Sequence, residues 1–150
     1  MLVTTLRTLV HAQADTVWGL LLDRMENPQH FLPTVVETRV LERFPDGMVR
    51  ELRLPGGKVR ERLTADKGEM TILSELLDHP LYAGTTVTRL VPTAVQNPMA
   101  PLHLEVDLRL ERKSFHLEGM VKAEEEMLAA IGGEMELIKR KAEESEKGGA

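Results

Sequence analysis

The chain has 150 residues, a formal net charge of -5 at pH 7 and no cysteine. A chain of this length can bury its own core as one domain, and the absence of cysteine excludes disulfides, thiolate catalysis and cysteine-ligated zinc. The acidic balance and the aromatic content of 3% disfavour a nucleic-acid partner, because phosphate backbones attract basic surfaces and unpaired bases stack on aromatic rings.

The N-terminus shows neither a basic segment nor an apolar segment of the kind that directs secretion. No stretch approaches the roughly 20 apolar residues of a membrane span. We therefore expect one cytoplasmic domain over residues 1–150 without a membrane span.

The first third of the chain predicts a strand followed by two short helices. Residues 2–10 are rich in Val, Thr and Leu and alternate loosely, which is typical of a strand. An apolar residue recurs at every fourth position of residues 14–26, which predicts an amphipathic helix packed on a sheet. Pro28 is suited to the first position of a second helix, and Pro33 limits that helix to one or two turns.

The middle of the chain predicts an antiparallel meander. Turn residues separate segments with period-two alternation, and the predicted strands are residues 34–43, 48–54, 59–64, 69–76, 84–91 and 102–110. In the last of these, one face is apolar and the other polar. We expect Leu104, Val106 and Leu108 to face the core, and His103, Glu105 and Asp107 to face solvent.

Residues 114–146 predict one long C-terminal helix with an apolar stripe that includes Met120, Met127 and Ile131. A methionine stripe is usually ordinary core, although flexible thioethers also suit a surface that adapts to ligands. The pair Gly132-Gly133 predicts a bend or close packing against the sheet. Residues 139–150 are charged and are expected to fray.

The element order resembles that of the START and pollen-allergen-like superfamily, also called SRPBCC. The segment Ala14-Asp15-Thr16-Val17-Trp18-Gly19-Leu20-Leu21 resembles the entry to its first helix. Two further segments, Glu26-Asn27-Pro28-Gln29-His30-Phe31 and Arg50-Glu51-Leu52-Arg53-Leu54-Pro55-Gly56, are similar to a microbial branch called AtaL-like.

This resemblance implies an α+β helix-grip fold, in which a curved antiparallel sheet of about seven strands wraps a long C-terminal helix, with two short helices after the first strand. It also implies a cavity between sheet and helix for a small apolar molecule, which could be a lipid, a sterol, a polyketide or an aromatic compound. The branch brings no established catalytic residues. We expect the cavity to measure about 300 Å³ or more and to lie between the sheet and residues 115–131.

Hairpin geometry predicts that Arg50 and Glu61 form an inward-facing pair. Leu52 and Leu54 must face the core, so period two places Arg50 on the same face, and the same argument applies to Glu61. A two-residue turn at Pro55-Gly56 would place Arg50 directly opposite Glu61, whereas a four-residue loop would leave them diagonal neighbours. The pair could anchor a ligand or could satisfy two charges at the cavity rim.

A third charged candidate is Glu124, which falls close to the middle of the apolar stripe and would be costly there without a partner. Glu134 lies at the edge of the stripe and is expected to be solvated. The five histidines match no metal motif, and Ser74 and Ser114 have no evident base. We expect no metal, no cofactor and no serine nucleophile.

Three functions stay open at this point: a binding or carrier protein for a small apolar molecule, a cyclase or dehydratase that uses an inward carboxylate, and an interaction module without a ligand. The first is favoured. The oligomeric state is open, and a dimer is possible. The expected ligand-binding residues are Arg50, Glu61, Glu124, Phe31, Leu52, Leu54, Leu63, Leu104, Val106, Phe115, Met120 and Met127.

Overall fold

The structure, a computed structural model, describes residues 2–94, 97, 99–113 and 117–148, without the side chains of residues 117–121. Seven strands and two α-helices make up the fold. In chain order they are β1 (Leu2–Val10), α1 (Ala14–Glu26), a 3₁₀ turn (Pro28–His30), β2 (Glu37–Phe44), β3 (Gly47–Leu54), β4 (Gly57–Asp66), β5 (Thr71–Asp78), β6 (Tyr82–Pro92), β7 (Leu102–Arg112) and α2 (Leu117–Gly148).

All seven strands form one antiparallel sheet in the order β1-β7-β6-β5-β4-β3-β2. The meander from β2 to β7 pairs neighbours in sequence, and β1 then pairs with β7, the last strand. The curved sheet carries α2 on one face, so the helix-grip fold predicted from the sequence is confirmed.

The core lies between the inner face of the sheet and the two helices. On α1 the buried residues recur at the predicted four-residue spacing, because only one stripe of an amphipathic helix can face a sheet. They are Val17, Trp18, Leu21 and Met25. The C-terminal half of α2 closes the core from the other side with Met135, Ile138 and Ala142.

Two expectations about helices are corrected. The second short helix is a single 3₁₀ turn, in which the Pro28 carbonyl oxygen accepts hydrogen bonds from the backbone N–H of both Phe31 and Leu32. Residues 139–148 are not frayed, because α2 continues to Gly148 and Ala142 is fully buried.

Of the two alternatives expected for the glycine pair in α2, close packing is wrong and a bend stays a prediction. A Cβ atom at either Gly132 or Gly133 would meet nothing within 4 Å, so close packing does not require these glycines. The helix passes through both without interruption.

The predicted orientation of the β7 side chains is confirmed, but one residue on the outer face is more buried than expected. Leu104, Val106 and Leu108 are buried as predicted, but Glu105 on the opposite face is only 7% exposed. Because β7 lies inside the sheet, long side chains from both flanking strands cover this position. Arg7 on β1 lies directly opposite Glu105 and forms an ion pair with it at 2.6 Å, and Arg89 on β6 lies opposite on the other side.

Candidate functional site

The long helix α2 does not contact the sheet evenly along its length. Its C-terminal half is tightly packed, with Ile138 and Ala142 fully buried. One turn and more towards its N-terminus, Met127, Leu128 and Ile131 lie on the side that packs against the core but are only half-buried. The core is therefore covered less completely towards the N-terminal part of α2.

The inner face of the sheet shows the same incomplete cover. Ladder pairing places Leu76, Gly84 and Leu110 in one row across β5, β6 and β7, on the face that carries Arg50 and Glu61. Leu110 is buried, but Leu76 and Gly84 are half-buried, as is Thr86 in the next row. An apolar strip of the inner face is thus left partly uncovered.

Arg50 and Glu61 face each other directly across β3 and β4, because the hairpin closes through the two-residue turn Pro55-Gly56. Arg50 Nε donates to Glu61 Oε1 at 2.8 Å, and Nη2 lies 2.7 Å from the same oxygen. The other carboxylate oxygen, Oε2, accepts a hydrogen bond of 2.6 Å from the Ser74 hydroxyl. The inward pair predicted from hairpin geometry is confirmed as a pair.

The remaining hydrogen bonds of Arg50 cap the C-terminal end of helix α1. Its Nη1 donates to the carbonyl oxygens of Arg24 at 2.9 Å and Met25 at 2.7 Å, which lie in the last turn of the helix. A guanidinium has five N–H donors, so these four contacts leave one Nη2 hydrogen for any other partner.

A second charged pair, Arg24 with Glu134, links α1 to α2 beside the first. The side chains are 13% and 17% exposed, and Arg24 Nη1 lies 3.8 Å from Glu134 Oε2, which is too long for a hydrogen bond. Arg24 Nη2 instead donates to the Thr88 hydroxyl at 3.2 Å. Glu134 is therefore only loosely paired, and the expectation that it is solvated is corrected.

The pKa values of Glu61 and Glu134 are shifted in opposite directions. Burial raises the pKa of Glu61, but attraction to Arg50 and the hydrogen bonds from Ser74 and Arg50 outweigh burial, so its pKa lies below the usual value. Burial raises the pKa of Glu134, and the loose contact with Arg24 offsets only part of this effect. Glu61 is thus held as an anion, whereas Glu134 keeps its proton to higher pH than an exposed glutamate.

A third polar group lies where β6 begins and β7 ends. Glu124 on α2 is 16% exposed at its side chain, and its Oε1 accepts a hydrogen bond of 2.6 Å from Arg112 Nε. Arg112 is directly opposite Tyr82 in the β6–β7 ladder. Tyr82 is fully buried, and burial followed by the nearby negative charge of Glu124 raises the pKa of its hydroxyl.

Comparison with known proteins identifies the family. A family model described as "Acetylaranotin biosynthesis cluster protein L", AtaL, matches residues 7–129. The chain belongs to the AtaL family. A comparison with curated protein sequences finds no match.

Solved structures similar to this AtaL-family chain share its fold at low sequence identity. A START superfamily protein from Mycobacterium smegmatis is 19% identical, with 93% of this chain and 97% of that chain covered and a TM-score of 0.67. The Zhui aromatase/cyclase from Streptomyces sp. R1128 is 18% identical, with 93% and 94% covered and a TM-score of 0.68.

A third similar structure is the di-domain ARO/CYC StfQ from the steffimycin biosynthetic pathway, with a TM-score of 0.77 at 18% identity. The match covers 97% of this chain and 53% of that one. These likenesses show that the AtaL-family chain shares the fold of these START and aromatase/cyclase structures, as the sequence resemblance indicated.

The apolar residues expected to line the cavity of this AtaL-family protein fall into two groups. Met127 is half-buried and belongs to the partly uncovered region, and Leu54 is half-buried next to the Pro55-Gly56 turn. Five others are buried in the core: Phe31, Leu52, Leu63, Leu104 and Val106. Phe115 and the side chain of Met120 lie outside the described residues, and the cavity expected against residues 115–131 stays a prediction.

Three polar residues of the interior were not identified from the sequence: Arg24, Thr88 and Tyr82. Arg112, the exposed partner of Glu124, was not identified either. Helical spacing gave a usable signal for Arg24, which follows Leu21 by three positions and so lies beside the apolar stripe. Ser74 was considered only as a nucleophile, although period two with Ile72 and Leu76 places it on the inner face.

Outside the interior, a surface cleft of about 440 Å³ is lined by His11, Glu143, Glu146 and Lys147. Its glutamates hold the segment before α1: Glu143 accepts a hydrogen bond from the His11 backbone, and Glu146 accepts one from the Gln13 backbone. Among the described residues no group of three or more potential metal ligands comes together. Within the same part of the chain, no helix has both the length and the apolar character needed to cross a membrane.

Proposed function

We propose that this protein binds or carries a small apolar molecule between the sheet and the N-terminal part of α2. The observation that carries the proposal is that α2 covers the inner face of the sheet unevenly along its length. Met127, Leu128, Ile131 and Leu76 in this region are half-buried, whereas Met135, Ile138 and Ala142 in the C-terminal half of α2 are buried. Apolar surface left partly uncovered in a protein interior is favourable for an apolar ligand.

The polar end of such a ligand would meet Glu134 and Arg24. Both side chains are largely buried, and their separation of 3.8 Å leaves hydrogen-bonding capacity on each. Buried polar groups are normally bonded, so a ligand carbonyl or hydroxyl would find partners here. Arg50 is a poorer anchor, since a single N–H of its guanidinium is uncommitted. We therefore place Arg50 and Glu61 behind the ligand as the support of the site.

Filling the uncovered region tests the proposal. Leu76 is half-buried on the inner face of β5, and Leu76→Trp would occupy the space assigned to the ligand. The adjacent Leu77 points to the opposite face and is 54% exposed, so Leu77→Trp is a matched control with the same added ring. Binding of the apolar probe anilinonaphthalene sulfonate would be measured by fluorescence titration.

We expect Leu76→Trp to lose probe binding by at least about tenfold while its melting temperature is unchanged or higher, because the ring fills unoccupied space. Leu77→Trp should bind like the unaltered protein. Native mass spectrometry of the freshly purified protein should also find a small molecule that Leu76→Trp lacks. Equal probe binding by the two variants would remove the basis of the proposal.

The loosely paired carboxyl of Glu134 favours an enzymatic alternative, a cyclase or dehydratase. A buried carboxyl with a raised pKa can donate its proton to a carbonyl oxygen while a solvent water molecule removes a proton from the neighbouring carbon, which gives the enol. A β-diketone such as 2,4-nonanedione would test this alternative through exchange of its α-hydrogens in D₂O. Exchange above the buffer rate that falls about a hundredfold in Glu134→Gln is expected of an enzyme, and exchange at the buffer rate excludes this role for Glu134.

A further inference from the structure

The Tyr82 hydroxyl is buried and makes no hydrogen bond of standard geometry with the described residues, but the Glu124 carboxylate lies close enough to help raise its pKa. The residue is 1% exposed and lies at the start of β6. A buried hydroxyl without a well-formed hydrogen bond costs about 1–3 kcal/mol relative to one in water. Phenylalanine would fill the same space without that cost, and among the described residues no standard hydrogen bond of the core depends on this hydroxyl.

The ring of Tyr82 is held on its other side by His79. The ring centroids are 5.5 Å apart, and His79 Nδ1 accepts hydrogen bonds from the backbone N–H groups of Leu81 and Tyr82. Both interactions belong to the turn between β5 and β6. The turn therefore positions the Tyr82 ring, which lies on the same face of the sheet as Gly84.

Glu124 approaches the same region from α2. Its Oε1 is occupied by Arg112, which fixes the carboxylate. The Tyr82 hydroxyl retains its proton, since burial and the charge of Glu124 raise its pKa, and it is therefore a hydrogen-bond donor. A neutral donor and a fixed carboxylate acceptor side by side match a hydroxyl group, which accepts one hydrogen bond and donates another.

We propose that Tyr82 and Glu124 hold a hydroxyl group of the ligand, at the opposite end of the binding region from Glu134. This inference rests on the proposed function. Glu124 and Glu134 are ten positions apart on α2, which corresponds to about 15 Å along the helix. Along β6, Tyr82 and Thr88 are about 20 Å apart by strand rise, and the half-buried Gly84 and Thr86 lie between them.

The ligand class that fits is an elongated apolar molecule with an oxygen group at each end, roughly 15 Å apart as measured along α2. Its middle would lie against the half-buried Met127, Leu128 and Ile131. A molecule with a polar group at one end only would satisfy one of the two polar regions and leave the other without a partner.

The test compares alkane-α,ω-diols with 1-alkanols of equal chain length, from eight to fourteen carbons, as competitors of anilinonaphthalene sulfonate. At the chain length that spans both polar groups, we expect the diol to bind about three to ten times more tightly than the alkanol. Tyr82→Phe should reduce that preference to nearly one and melt at an unchanged or higher temperature.

The matched control is Thr85→Val, which removes a hydroxyl from the outer face of β6 and should keep the full preference for the diol. Equal affinities for diol and alkanol at every length, or a preference that survives in Tyr82→Phe, would overturn the inference while leaving the proposed function intact. If neither class of molecule displaces the probe, both proposals fail.

Discussion

Arg50 of β3 stands directly opposite Glu61 of β4 and at the same time donates to the last carbonyl oxygens of helix α1. This guanidinium therefore joins the sheet to the first helix. Removing it leaves a buried carboxylate without its cation and two carbonyl oxygens without a donor.

Arg50→Leu should consequently destabilise the fold by about 3–5 kcal/mol, the usual cost of breaking a buried ion pair on one side. Urea denaturation measures this free energy of unfolding. Arg43→Leu breaks the exposed pair with Glu26 and should change the free energy of unfolding far less, because water screens an exposed ion pair. A small effect of Arg50→Leu on stability, together with loss of probe binding, would show instead that Arg50 serves the ligand.

Glu105 should matter more for stability than its position on the outer face suggests. Glu105→Lys would place a cation between Arg7 and Arg89, which lie opposite it on the two neighbouring strands. We expect a loss on the order of 1 kcal/mol or more in the free energy of unfolding. Arg109→Glu, at an exposed position of the same strand face, should change stability by at most about 0.5 kcal/mol. Equal effects of the two substitutions would show that the burial of Glu105 does not contribute to the free energy of unfolding.

Gly132→Ala and Gly133→Ala should each stabilise the protein by up to about 1 kcal/mol, because alanine is the better helix former and its Cβ meets no atom within 4 Å. Thermal unfolding measures the effect. If these glycines let the N-terminal part of α2 move away from the sheet, the substitutions should also slow release of the apolar probe in a stopped-flow experiment.

Gly84→Ala provides the contrasting control. Gly84 has a φ of +132°, and a Cβ there would lie 2.2 Å from the Arg109 carbonyl oxygen. This substitution should destabilise the fold strongly, since neither the backbone angle nor the neighbouring strand accommodates a side chain. A loss of stability in Gly132→Ala comparable to that of Gly84→Ala would show that α2 does not tolerate a side chain at Gly132.

The link between α2 and the start of α1 should weaken in acid. Hydrogen bonds from the His11 backbone and from Lys139 lower the pKa of Glu143 to about 2. Because the folded-state pKa is depressed, the stabilising contribution is complete above the unfolded value near 4.5 and is lost as the pH falls towards about 2.

The difference in melting temperature between the unaltered protein and Glu143→Gln should therefore be constant above pH of about 5 and should shrink as the pH approaches 2. Glu144→Gln changes an exposed neighbour and should show no such trend. A difference independent of pH down to 2 would mean that the charge of Glu143 is not what holds the segment before α1.

Local pattern was sufficient for much of the fold. The four-residue period in α1 and the two-residue period in the strands predict which of their side chains are buried. Each pattern depends only on neighbours a few residues away. The Arg50–Glu61 pair followed for the same reason, since a two-residue turn sets the register of the hairpin that contains both.

The rest of the interior depended on segments that are distant in sequence. Arg24 meets Glu134 only because α1 and α2 pack on the same face of the sheet, and Tyr82 nears Glu124 only after β6 pairs with β7 beside the start of α2. The burial of Glu105 likewise required β1 to join β7. Sequence period shows which way a side chain points along its own element, but only tertiary packing decides which side chains from other elements lie against it and whether water still reaches it.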